Sequence, residues 1–212
     1  MTHRPIGIFL VMLAALYISS CTNQTKAPVQ ADNTPKMADH NQHSMAMMQN
    51  MDAMMEHMSS MKMTGDFDVD FANMMVEHHQ GAISMSQVEL KEGSDAQMRS
   101  MAQKIIAAQQ AEIAKLRDFV QNHPVTPAQQ HQMAGGSMQS MHDQMKAMPM
   151  SGRVDQDFAS MMKVHHQGAV KMAQEELAKG KQAGLKQMAQ QMITDQQREI
   201  AEFQAWLDKN PK

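Results

Sequence analysis

Two short runs carry the richest chemistry in the chain, His78-His79-Gln80-Gly81-Ala82 and His165-His166-Gln167-Gly168-Ala169. Each is preceded by a methionine pair, Met74-Met75 or Met161-Met162, and followed by Met85 or Met172. Side chains three, four, seven and eleven positions apart share a helix face. Phe71, Met74, His78, Ala82, Met85 and Glu89 therefore form one stripe, and Phe158, Met161, His165, Ala169, Met172 and Glu176 form its counterpart. A thioether–imidazole–thioether line suits a soft monovalent ion such as Cu(I) or Ag(I). Imidazole alone also takes Zn(II) or Cu(II), so the histidines point to metal and the methionines favour copper over zinc. One residue turns a helix by about 100°, which puts His79 and His166 at the stripe's edge, one turn after Met75 and Met162. A hydrogen-bonded core histidine is the competing explanation at each position. Its recurrence as a repeated pair with flanking methionine favours ligation.

Methionine is denser still in residues 45–63 and 137–150. There Met51, Met54, Met55, Met58 and Met61 share a helical face near His57, and Met138, Met141 and Met145 accompany His142. Neither segment contains leucine, which packs with better-defined rotamers. Metal recruitment explains that choice, and so does a soft packing or partner-binding face; the metal reading makes Met51, Met54, Met58, His57, Met138, Met141, His142 and Met145 further ligand candidates. Gln109, Glu112, Gln196 and Glu199 interrupt apolar helices downstream, as partners that orient histidine or as a solvated edge. Gly81 and Gly168 sit where a helix would prefer alanine, which suggests close helix approach or room for a ligand.

These residues must be positioned by a repeated element. Residues 68–124 lie over residues 155–211 at one constant offset without a gap, with roughly half the positions identical. The methionine-rich lead-ins obey the same offset. No segment alternates like a strand, so the expected fold is all-α: two helical hairpins forming a four-helix bundle, with the methionine-rich helices outside its core. Gly93 and Gly180 mark the hairpin breaks, and Ser94 with Gln97 reads as a capping box that Lys181 does not repeat.

The chain begins with a basic residue pair, an apolar run from Ile6 to Tyr17, and Ile18-Ser19-Ser20-Cys21. That pattern is a secretion signal and looks like a bacterial lipobox, making Cys21 the lipidated N-terminus after cleavage; the run is too short to span a bilayer. Thr22 after the cysteine, by likeness to Gram-negative lipoproteins, places the protein at the periplasmic face of the outer membrane. The expected organisation is signal peptide 1–20, lipidated cysteine and tether 21–44, Met/His-rich helix 45–65, and duplicated bundle 66–212, with halves 66–124 and 153–211 joined by a connector, 125–152. With Cys21 the only cysteine, the mature domain has no disulfide and no thiolate ligand. A net charge of −3 without a basic run gives no footprint for nucleic acid. The 28 methionines and 11 histidines are the compositional outliers.

With HHQGA twice, each followed by a helix carrying AQQAEI or DQQREI, the sequence from about residue 66 to 211 resembles the domain of unknown function 305 family, which includes CopM-like periplasmic copper-binding proteins. The resemblance implies a ferritin-like four-helix bundle, a role in copper binding or tolerance, and His78, His79, His165, His166, Met74, Met75, Met161 and Met162 as site residues. Glu77 and Val164 stand where family helices often carry a proline. The expected function is a non-enzymatic envelope lipoprotein that captures or buffers copper, as Cu(I) or Cu(II), and silver, without an organic cofactor; a copper-handling protein of unknown identity is the expected protein partner. A ferritin-like metal oxidase is the first alternative; the Glu-x-x-His pairs of a two-metal carboxylate site are missing from the sequence. An interaction lipoprotein using its methionine faces independently of metal is the second.

Overall fold

A computed structural model describes residues 42–125 and 135–211. Cys21, the signal and most of the expected tether lie outside the described residues. Six helices follow in order: α1 (Gln42–Ser60), α2 (Phe67–Glu92), α3 (Ala96–Asn122), α4 (Gly135–Ala147), α5 (Val154–Lys179) and α6 (Ala183–Lys209). No strand occurs among the described residues. The fold is an all-helical bundle in which α2 pairs with α3 and α5 with α6, and the two hairpins meet along α2 and α5.

Local chemistry sets the joints. Between α1 and α2 the chain turns at Gly65, and between α4 and α5 at Gly152, with φ of 85° and 75°, a left-handed conformation that glycine adopts without strain. Each turn is closed by an aspartate of the following helix: Asp70 accepts from the Thr64 N–H at 2.7 Å and the Gly65 N–H at 3.1 Å. Asp157 does the same for Ser151 and Gly152, at 2.7 and 3.2 Å, and also accepts from the Ser44 hydroxyl at 2.6 Å. Asp68, Asp70, Asp155 and Asp157 stand in first helical turns, where the helix dipole favours negative charge.

The hairpin turns are tied across the repeat. Asp155 of α5 accepts from the Ser94 and Asp95 N–H groups at 2.9 and 2.8 Å, at the start of α3. Asp68 of α2 accepts from the Lys181 and Gln182 N–H groups at 2.9 and 2.8 Å, at the start of α6. Ser94 is thus not the cap expected of it. Its hydroxyl donates to Asp155 at 3.0 Å, while Asp95 caps α3 by accepting from the Gln97 and Met98 N–H groups, both at 2.9 Å. A carboxylate takes two helix-end donors more strongly than a hydroxyl does, and it stands one residue nearer the helix.

The methionine-rich helices correct a second expectation. They do not lie outside the core; they complete it. Met47, Met51, Met54 and Met58 of α1 and Met138, Met141 and Met145 of α4 are buried with Phe71, Met75, Met85, Phe158, Met162 and Met172 in one hydrophobic cluster. Helix α1 lies against α2 and α4 against α5, covering the seam where the hairpins meet. The reason is geometric: α2 and α5 are apolar on more than one face, so a second pair of helices must cover what α3 and α6 leave open. Met55 and Met61 are only partly buried, and Met45 and Met63 are exposed.

Candidate metal centre

The two histidine stripes meet face to face. The rings of His78 and His165 stand 3.8 Å apart, centroid to centroid, tilted by 38°. Both side chains are buried, and none of their four ring nitrogens has a hydrogen-bond partner. Burying a polar nitrogen without a partner is costly, of order 1–3 kcal/mol, so four together in one core is unusual for packing alone. Burial, reinforced by the neighbouring histidines, holds both rings well below the ordinary histidine range, so they are neutral. A neutral imidazole with an available lone pair is the form that binds a metal ion.

A methionine sulfur accompanies each ring. A Cβ placed on Gly81 would lie 2.6 Å from the Met54 sulfur and 3.2 Å from His165 Nε2. One on Gly168 would lie 2.5 Å from the Met141 sulfur and 3.3 Å from His78 Nε2. The glycines therefore serve close approach: thioether and imidazole face one point above a bare backbone. Each position draws on both repeats. Met54 and Gly81 come from α1 and α2 and His165 from α5, while Met141 and Gly168 come from α4 and α5 and His78 from α2.

His79 and His166, at the edge of each stripe, are buried as well; α3 and α6 close over them and leave both without exposed surface. His79 Nε2 pairs with Glu112 Oε2 at 2.6 Å, and His166 Nε2 with Glu199 Oε2 at 2.7 Å. A carboxylate accepts, so Nε2 carries the hydrogen in a neutral ring and Nδ1 keeps its lone pair; Nδ1 is buried and unpartnered in both. Of the two roles open to Glu112 and Glu199, the geometry selects the orienting one. The ring of His166 also stands edge-on to Phe203 at 6.0 Å.

Met74, Met75 and Met85, with Met161, Met162 and Met172, are buried in the same core, as are Met51, Met58, Met138 and Met145. The outer histidines stand apart from the central rings. His142 donates to Asp52 at 2.7 Å, tying α4 to α1. His57 is 63% exposed and donates through Nδ1 to Glu77 Oε2 at 2.7 Å. No group of three or more His, Cys, Asp or Glu side chains suited to a metal occurs among the described residues. The donors that do converge are nitrogen and thioether sulfur, a set matched to a soft ion of low coordination number. Sequence spacing places His78 and Met74 on one stripe, but it does not pair His165 with Met54 on the other repeat. Only the glycine in each HHQGA run hints at so close an approach.

The family model described as Domain of unknown function (DUF305) matches the sequence twice, over residues 17–120 and 120–207. Among solved structures, the chain is similar to CopM in the Cu(II)-bound form, at 28% identity over 67% of this chain and 96% of that one, with a TM-score of 0.52. It is similar to CopM in the Cu(I)-bound form at 25% identity, over 67% of this chain and 96% of that one, with a TM-score of 0.51. CopM in the Ag-bound form obtained by co-crystallization is 25% identical over 68% of this chain and 98% of that one, with a TM-score of 0.52. No curated protein matches. With a match to each half of the duplication, the chain belongs to the DUF305 family.

Proposed function

We propose that the protein is a copper-binding lipoprotein of the cell envelope that captures and buffers Cu(I), and Ag(I) where present, without catalysing a reaction. The observation that carries this reading is the pair of neutral, buried and unpartnered rings of His78 and His165, each beside a methionine sulfur. Two neutral nitrogens and two thioethers add no charge to the core, so a monovalent ion is the least costly to bury there. The copper and silver forms of CopM among the similar structures support the same ligand class. His79 and His166, oriented by Glu112 and Glu199, offer Nδ1 as additional donors. Attachment through Cys21, at the periplasmic face of the outer membrane, rests on residues 1–22 and suits a buffer that meets copper before it reaches the cell interior.

Competitive titration with Cu(I), Ag(I), Cu(II) and Zn(II), beside a His78→Ala/His165→Ala variant, tests the reading. Tight Cu(I) and Ag(I) binding that weakens at least a hundredfold in the variant is the expected result. Equal binding in the variant moves the site elsewhere, and no binding in the parent overturns the copper reading.

A further inference from the structure

The two His–Met positions are built alike but are not reached alike. Above Met54 the surface opens in a cleft of about 240 Å³ lined by Asn50, Met54, His57, Glu77, Gly81 and Ser84, among others. Met54 and Gly81 of this lining are the residues that bring a thioether sulfur and His165 Nε2 to one point, 2.6 and 3.2 Å from where a Cβ on Gly81 would stand. At its rim His57 gives Nδ1 to Glu77, which leaves Nε2 as the ring atom for a metal. The same offset that relates the repeats carries these residues onto quite different ones. Gln144 stands for His57, Val164 for Glu77 and Lys171 for Ser84, while Met141 and Gly168 are kept. Val164 is buried and Lys171 exposed. The duplicated rim has thus lost an imidazole and a carboxylate and gained a cation.

We infer that metal ions enter the protein through the cleft over Met54, with His57 and Glu77 as an outer loading station, and that the mirror position at Met141 is filled from inside. Glu77 draws a cation to the rim, the His57 imidazole binds it first, and the Met54 thioether takes it inward to His165. At the duplicated position a cation meets Lys171, which repels it, while Gln144 and the buried Val164 supply neither the imidazole nor the carboxylate of the open rim. The second ion reaches Met141 through the ring contact of His165 with His78, whose 3.8 Å spacing brings the two positions together. No electron or proton need be transferred, so the ion keeps its oxidation state along the path. The inference rests on the copper-buffering reading and goes beyond it by naming a route.

Stopped-flow ultraviolet absorbance on mixing the whole protein with silver nitrate, with ionic strength raised by sodium perchlorate, reads the loading rate. A His57→Gln/Glu77→Val/Ser84→Lys variant gives the open rim the residues of the closed one. It is expected to load at least tenfold more slowly and to lose the parent's fall in rate with salt, in keeping with electrostatic steering of about ten- to a thousandfold. Adding Gln144→His and Lys171→Ser to that variant restores the imidazole and removes the cation at the other rim, and is expected to recover part of the rate without the salt dependence that Glu77 gives. Both sets of changes lie outside the buried ligands, and Lys171 and Gln144 are exposed. A parent that loads silver at a rate indifferent to salt, or a closed-rim variant that loads as fast as the parent, overturns the route while leaving the buffer reading intact. A parent that takes up no silver overturns both.

Discussion

The glycine of each HHQGA run decides whether sulfur and imidazole can share a point. At Gly81 a methyl group would intrude on the flexible end of Met54, which can swing aside, and on His165, which cannot. A Gly81→Ala/Gly168→Ala variant is therefore expected to keep its fold. Each change gains about 1 kcal/mol of helix propensity, which offsets part of the lost packing. Its affinity for Ag(I) should fall at least tenfold, measured by competitive titration against the parent. Glu112 acts differently. Glu112→Ala leaves the buried Nε2–H of His79 without an acceptor and is expected to destabilise the protein by about 1–3 kcal/mol in urea unfolding. Glu112→Gln, which keeps an acceptor, is expected to recover most of that loss. The residue types of the candidate site were legible at this scale, because paired histidines and methionines recur at one offset. Ligand pairings were not, because the sulfur beside His165 belongs to a helix more than a hundred residues away in sequence.

At the scale of helices, the reciprocal aspartates are the least obvious device in the fold. Asp68 and Asp155 each hold the two backbone N–H groups that immediately precede a helix of the other repeat. Removing a carboxylate that accepts two such N–H groups costs about 1–3 kcal/mol, so Asp68→Ala and Asp155→Ala are each expected to lower stability by that much in thermal unfolding. Because each tie pins one hairpin to the other, the double variant should lose the cooperativity with which the hairpins unfold. Periodicity and the repeat revealed the helices, their order and the turn glycines, since these depend on local spacing. The caps and the placement of α1 and α4 depend on contacts between distant segments. A run of Met47, Met51, Met54 and Met58 has the same spacing whether it covers a core or faces a partner, so burial could not be read from it.

Across the whole molecule, two acids are buried where the hairpins turn. Burial, with the Asp155 carboxylate beside it, pushes Glu89 up to about 8. Burial, with Asp68 nearby, pushes Glu176 up to about 8 as well. The carboxyl oxygens of both glutamates are buried without a hydrogen-bond partner of good geometry, and the neighbouring Asp155 and Asp68 further disfavour their charged forms. The folded state therefore holds these protons more tightly than the unfolded chain, whose glutamates titrate near 4.5. The stability they contribute is fully present below that pH and is lost as pH rises through about 8. The unfolding temperature should fall over that interval, and a Glu89→Gln/Glu176→Gln variant should flatten the fall. Sequence showed Glu89 and Glu176 ending the histidine stripes, but the aspartates that face them come from the opposite repeat.

The crossed ownership of the ligands has one more consequence. Each hairpin, with its methionine helix, contributes the sulfur and the bare backbone for one position and the imidazole for the other. An ion held at either position would therefore tie the two halves together and raise the temperature at which they part. Whatever pries α2 from α5, whether heat, denaturant or a recipient protein wedged into the seam, would separate sulfur from imidazole at both positions at once.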